Sequence, residues 1–389
     1  MKAYVRTFKQ KIQSLDKWIL IPSVILALMS IITLYGGAEH FGISVAITQT
    51  AAFAVGLFAC IFLAMLDYDE YINRLYILLF AGSVILLSVT IFFGIAVGSN
   101  QSWITIPGIG VTIQPSEFVK ITFIATFARH LSKVDHKINK FSTVIPLAIH
   151  AMIVVGLVLV SGDLGVALVY MAIIAVMLFC AGLSLLYFAG VIGAVVIVFP
   201  YIWPHLAEYQ QQRILVGFNP ESDPLGFGMQ ALLSRKCIAS GGLFGKGFGN
   251  GELYMDVPVS SSDFVFATFC EQFGMIGAFF YIGLVFVIVA RLIILARKSR
   301  DKLGSYVCAG VIAVLVAQMG ENIGMALATL PVIGITLPFM SSGGSSMLSI
   351  VALMGLPMSV YMHRNEKLAL LSRQKEKIKK KIKNFQKST

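Results

Sequence analysis

Apolar runs long enough to cross a membrane recur from one end of this 389-residue chain to the other. A helix spanning the hydrocarbon core needs roughly 20 apolar residues. Cutting the sequence where such runs are interrupted leaves ten segments, at 18–35, 45–66, 75–97, 117–131, 143–161, 164–182, 184–203, 264–290, 305–330 and 343–362. The composition, 57% hydrophobic and 13% charged, points the same way. Soluble chains run about 45–50% apolar and about 25% charged, so lipid is the expected solvent for most of this one. The fourth segment is the weakest, because Lys120 sits inside it and Arg129 lies near its end. The first follows basic residues but has no small-residue cleavage site, and reads as a retained anchor rather than a signal peptide. The expected fold class is an all-α polytopic membrane protein with about ten transmembrane helices.

Charge sets the orientation. The net charge is +11 from 30 Lys and Arg against 19 Asp and Glu, and the excess sits at the two ends, leaving the body between them near −1. That distribution excludes a basic nucleic-acid-binding core and no nucleic-acid partner is expected. Placing the N-terminus inside puts 25 of the 30 basic residues on the cytoplasmic side, which the positive-inside rule selects. Both termini are then cytoplasmic. The chain divides into a basic N-terminus at 1–17, a membrane body at 18–362 and a basic tail at 363–389. In the tail Leu368, Leu371, Ile378, Ile382 and Phe385 recur at helical spacing among lysines, which suits an amphipathic helix on anionic membrane lipids or a solvated tail. The five cysteines lack the close spacing of a disulfide scaffold or a zinc site.

Two stretches break the pattern. Residues 204–262 form one large extracytoplasmic loop with aromatic and glycine content unlike a linker. Residues 330–346 hold prolines, glycines and serines that cannot continue a helix, so a re-entrant or broken segment is expected at the outer face.

Ionisable residues at membrane depth are costly and are functional candidates by default. Glu117, Lys120, Asp163, Asp263, Glu271 and Glu321 lie in or at the ends of spans, all but Glu321 toward the outer half. Glu117 and Lys120 are three apart and can pair, for structure or for catalysis. Asp163 and Asp263 each precede an apolar run, where helix capping competes with a chemical role. A carboxylate at position 263, beside a large outer loop, is placed to deprotonate a hydroxyl. All four outer basic residues, Arg213, Arg235, Lys236 and Lys246, fall in that loop, and its glycine run 241–251 lets backbone approach a phosphate closely. An anionic ligand at the outer leaflet fits that grouping, as does chance placement in the longest outer loop.

Six ordered blocks carry a family resemblance: Trp103-Ile104 with Gln114-Pro115-Ser116-Glu117 and Lys120; Asp163-Leu164-Gly165; Arg213 with Asn219-Pro220; Ser240-Gly241-Gly242 with Gly245-Lys246-Gly247; Asp263-Phe264 with Phe266-Ala267 and Glu271; and Leu337-Pro338-Phe339 with Ser341 and Gly343-Gly344-Ser345-Ser346. Together they resemble the SEDS family of RodA, FtsW and SpoVE relatives over nearly the whole membrane body. The stretch Glu321-Asn322-Ile323-Gly324-Met325 before Leu330-Pro331 is most similar to the RodA branch. Ser102, Ser261-Ser262 and Ser342 stand where the family usually has Arg, His-Thr and Tyr.

The resemblance implies a bacterial cytoplasmic-membrane glycosyltransferase that polymerises lipid II, the undecaprenyl-diphosphate-linked disaccharide-pentapeptide, beside a class B penicillin-binding protein. By the same matching Asp263 is the candidate catalytic base. Trp103, Glu117, Lys120, Asp163 and Glu271 are candidates for structuring or lining the site, with Arg213 and Lys246 as candidate counter-charges for the substrate's diphosphate. A divalent cation, Mg²⁺ or Mn²⁺, held by carboxylates and diphosphate together is the other source of charge stabilisation. The rival readings are a transporter that flips lipid II without chemistry, and a non-catalytic scaffold for the penicillin-binding protein.

Overall fold

The computed structural model describes residues 14–97, 100–105 and 112–364. The amphipathic tail segment and most of the basic N-terminus lie outside the described residues. Among the described residues eight helices are long and apolar enough to cross a membrane: α1 (Lys17–Gly36), α3 (Ile43–Met65), α4 (Tyr68–Phe93), α6 (Phe141–Val160), α8 (which begins at Leu185 and, with the 3₁₀ turn after it, runs as Leu185–His205), α11 (Val265–Arg297), α12 (Lys302–Ala326) and α13 (Gly344–Leu353, continuing as Gly344–Arg364). A short α2 (Ala38–Phe41) joins α1 to α3. The two remaining expected segments are also helices. α5 (Pro115–Val134) has 20 residues and α7 (Leu164–Cys180) has 17. The weakened fourth segment is thus a full helix, started by Pro115 at its first turn, where a missing N–H costs nothing.

Boundaries follow caps more than hydrophobicity. α4 begins seven residues before its apolar run because the Asp67 side chain accepts from Asp69 N at 3.0 Å. The last helix breaks at Met354, three residues before Pro357, whose ring clashes with the carbonyl four residues earlier. α12 and the segment Gly344–Arg364 form the centre, with 67% and 83% of their apolar windows buried. α8 lies at the other extreme, with none of its window buried.

The helical membrane fold carries two local additions. One is a small antiparallel sheet in the order β1-β2-β3, formed by β1 (Ile95–Val97), β2 (Asn100–Thr105) and β3 (Thr112–Ile113). Gly94 ends α4, so the last residues of the third apolar segment become strand. The stretch 204–262 is also more than a loop, since it carries α9 (Glu208–Phe218) and α10 (Met229–Ser240). Neither has a long apolar run. α10 is held instead by three small buried residues, Ala231, Ser234 and Cys237.

Candidate active site

One end of the bundle is organised around the irregular stretch between α12 and α13, the break that proline and glycine content anticipates. Asp263 lies just before α11 and is half-buried. It does not cap that helix: the N-cap is Phe264 and no side chain caps the first turn. Among the described residues its carboxylate makes no ion pair. Burial holds the Asp263 carboxyl above the ordinary carboxylate range, opposed by a hydrogen bond from Ser262 and reinforced by the charge of Asp163. A Cβ at Gly334 would stand 3.3 Å from Asp263 Oδ2, so the carboxylate faces that glycine.

Asp163, in contrast, is a cap. Its Oδ1 accepts from Val166 N at 3.0 Å and its Oδ2 from Gln114 Nε2 at 2.7 Å. Two residues on, Gly165 meets the Ile333–Ile335 stretch, where an added Cβ would fall 2.7 Å from Ile333 O. Glu117 and Lys120 pair at 2.8 Å with almost no exposure, and Glu117 Oε2 accepts from Ser349 Oγ at 2.9 Å. The pair therefore ties α5 to α13, and is consistent with a structural role. Trp103 is half-buried on β2, paired with Ile95. Its strand is anchored where Gln101 N donates to Ser161 O at 3.0 Å, two residues before Asp163.

Lys246 and Glu271 form a separate cluster. Glu271, on α11, is fully buried and pairs with Lys246 at 2.6 Å, which pushes the lysine's pKa up. The carboxylate also accepts from the backbone N–H groups of Glu252, Leu253 and Tyr254 at 2.9–3.1 Å. The glycine run serves the same helix. α11 is broken at Gly274, with φ 67°. The freed carbonyls of Glu271 and Gln272 accept from Lys246 N and Gly247 N, while Met275 N and Ile276 N donate to Gly242 O and Leu243 O. This re-satisfies a broken helix in a place where unpaired backbone groups are costly. The glycines are spent on α11 rather than on a phosphate, and Lys246 is spent on Glu271. Arg235 is likewise paired with Glu221 at 2.6 Å.

Arg213 is different. It is exposed, has no ion pair among the described residues and lines a cavity of about 460 Å³ with Asp223, Gln230, Leu330 and Val332. α9 can pack over this stretch because Gly217 lies against Pro331, where an added Cβ would be 2.5 Å away. Val332 is two residues from Gly334, at most about 7 Å of backbone, so the cavity borders the Asp263 region. Among the described residues no three His, Cys, Asp or Glu side chains converge as a metal site. Asp163 and Asp263, near enough for their charges to interact, are the carboxylates here that could share a cation brought by a diphosphate.

The sequence survey of ionisable groups passed over the amides and hydroxyls of this region. Gln114, Asn322 and Ser341 sit within its motifs, where polar side chains at motif positions were the available signal, while Ser349 lies three residues beyond the last motif and carried none. Glu321 also departs from expectation. α12 begins at Lys302, so Glu321 lies about 28 Å along it. It immediately precedes Asn322, whose amide reaches Asp263 O at 2.7 Å, and so belongs to the same end of the bundle as the other candidates.

A family model described as Cell cycle protein (FTSW_RODA_SPOVE) matches residues 11–366. The chain is 33% identical over 311 residues to the probable peptidoglycan glycosyltransferase FtsW of Trichlorobacter lovleyi, covering 79% of this chain and 80% of that protein. It is 30% identical over 359 residues to the peptidoglycan glycosyltransferase MrdB of Escherichia coli K12, covering 90% and 95%. Among solved structures it matches a chain reported under structural coordination of polymerization and crosslinking by a peptidoglycan synthase complex, with TM-score 0.79, 27% identity, and 90% and 98% coverage. The rod shape determining protein RodA of Thermus thermophilus shares the fold at TM-score 0.66 and 23% identity, with 90% of this chain and 97% of that one covered. A family model that spans nearly every helix, together with relatives at this identity, shows that the chain belongs to the FtsW, RodA and SpoVE family of multi-pass bacterial inner-membrane proteins.

Proposed function

We propose that this chain is a peptidoglycan glycosyltransferase that polymerises lipid II into glycan strands at the outer face of the cytoplasmic membrane, for cell elongation or division, with Asp263 as general base. The observation that carries the reading is a carboxylate spent on neither a helix cap nor an ion pair, in a region bordered by the Arg213 cavity. The names of the family relatives support the reaction class.

In the reaction an acceptor sugar hydroxyl gives its proton to Asp263 as its oxygen attacks the anomeric carbon of the donor. The bond from that carbon to the diphosphate breaks, and the electron pair leaves with undecaprenyl diphosphate. A base whose pKa lies above the ordinary carboxylate range accepts a proton more readily than an exposed one. Charge on the departing diphosphate falls to Arg213, which makes no ion pair among the described residues and lines the cavity. Mg²⁺ or Mn²⁺ carried by the diphosphate would add Lewis-acid charge stabilisation there. Asp163 caps α7, whose Gly165 meets the 333–335 stretch in front of Asp263, while Trp103, Glu117, Lys120, Glu271 and Lys246 hold the surrounding elements. Holding two lipid-linked heads at one depth makes the encounter effectively intramolecular. The partner is a class B penicillin-binding protein that crosslinks the product, a reading supported by the synthase complex to which the chain is similar.

The test is purified protein with its partner and lipid II, with products resolved by glycan length. Asp263→Ala should make no polymer while folding and binding lipid II. Polymer at the wild-type rate from Asp263→Ala removes the assignment. No polymer from wild type under any partner or cation condition favours lipid II transport, and normal growth of cells carrying Asp263→Ala favours the scaffold.

A further inference from the structure

Three successive backbone carbonyls lead into Asp263, and each is taken by a donor from outside its own segment. Ser261 O accepts from Ser342 N at 2.8 Å, Ser262 O from Ser341 Oγ at 2.7 Å, and Asp263 O from Asn322 Nδ2 at 2.7 Å. The same Asn322 amide also donates to Ile335 O at 2.7 Å. Ile335 follows Gly334, the residue that the Asp263 carboxylate faces. A single side chain on α12 therefore fixes both the backbone of the proposed base and the wall in front of it. Ser341 does the same from the other side, since its Oγ accepts from Leu337 N at 2.7 Å while donating to Ser262 O.

The local backbone needs such support. Val259, Gly334 and Phe339 have φ of 55°, 72° and 60°. A β-branched or bulky residue seldom adopts that region, and persists there only when its surroundings over-determine it. The two donated bonds also fix which way the Asn322 amide faces, because its oxygen would oppose two carbonyls if reversed. Its Oδ1 is left buried with no partner among the described residues. An amide with a stranded oxygen inside a spanning helix is an uneconomical packing residue, so what its NH₂ group holds is the reason for it.

We propose that Asn322 and Ser341 are positioning residues for polymerisation: they pin residues 261–263 against the stretch from Ile335 to Ser342 and thereby set where the Asp263 carboxylate meets the acceptor hydroxyl. The inference rests on Asp263 being the base.

The experiment measures kcat and KM for lipid II polymerisation, and the pH profile, in the purified complex of full-length chain and partner. The variants are Asn322→Ala, Asn322→Gln, Ser341→Ala and Ser341→Thr, beside Asp263→Ala and a buried-hydroxyl control on α1, Ser23→Ala, whose hydroxyl bonds only Ile19 O within its own helix among the described residues. Asn322→Ala and Ser341→Ala should lower kcat about 10- to 100-fold, the effect expected of a displaced reacting group, with KM little changed. Ser341→Thr, which keeps the hydroxyl, should recover most of the rate. The acidic limb of the pH profile should move in both alanine variants, and Ser23→Ala should behave as wild type. If Asn322→Ala does not fold, the Ser341 pair decides the matter. Wild-type kcat in folded Ser341→Ala or Asn322→Ala, with Asp263→Ala inactive, overturns the positioning role and leaves the base in place. A raised KM at unchanged kcat also overturns it, by assigning the residues to substrate binding. Polymer made by Asp263→Ala overturns base and positioning together.

Discussion

Asp263 and Asp163 are both aspartates before an apolar run, yet their surroundings give them different work. Asp163 spends its oxygens on Val166 N and Gln114, while Asp263 keeps a half-buried carboxylate whose pKa burial raises. A base is competent only when deprotonated, so polymerisation should fall as pH drops through a value above the ordinary ~3.9 of aspartate. Asp163→Asn removes a charge that raises the Asp263 pKa, so in that variant the acidic limb should shift to lower pH in a rate-versus-pH profile. The same raised pKa has a stability consequence. A carboxyl whose folded pKa exceeds its unfolded value stabilises the fold at low pH, and loses that contribution as pH rises through the folded pKa. Asp263→Asn should therefore melt higher than wild type near pH 7, with the gap closing toward pH 4. Glu271 shows the opposite case, a carboxylate saturated by Lys246 and three backbone donors. Glu271→Ala strands those donors and should lower stability by about 3–5 kcal/mol, read as a lower melting temperature in detergent.

At the scale of elements, the breaks matter as much as the helices. α11 tolerates its kink at Gly274 because the 242–247 stretch supplies the missing partners. α7 approaches the 333–335 stretch through Gly165, where a Cβ would sit 2.7 Å from a backbone carbonyl. A methyl group there must push that wall away from its place in front of Asp263. Gly165→Ala should thus fold but lose activity, by up to about 100-fold for a shift approaching 1 Å. Polymerisation assays on material that remains monodisperse would check it, and an unchanged rate would show that the wall's position is not critical.

For the whole molecule, charge distribution predicts the orientation. Single cysteines at Ser222, in the stretch 204–262, and at Lys137, between α5 and α6, should react differently with an impermeant maleimide on intact spheroplasts. The first should label and the second only after permeabilisation, and the reverse pattern would invert the topology. Much of this architecture was legible in the chain. Eight of the ten apolar segments are, among the described residues, helices long and apolar enough to cross a membrane, and the other two are helices as well, because a lipid environment demands both length and apolarity and the demand is written residue by residue. Proline and glycine between 330 and 346 marked the broken stretch for the same local reason, and Asp263 stood out because an ionisable group beside a membrane span is costly. What the chain alone left open depended on contacts between residues far apart in sequence. Arg213 and Lys246 look alike as cations in one loop, and only packing leaves the first without an ion pair among the described residues while committing the second to Glu271. The capping account of Asp263 could be set aside, and that of Asp163 kept, only once the first turns of α11 and α7 were built. Local composition fixes where a helix can form in lipid; which polar groups remain unspent at its end is settled by every other element that reaches them.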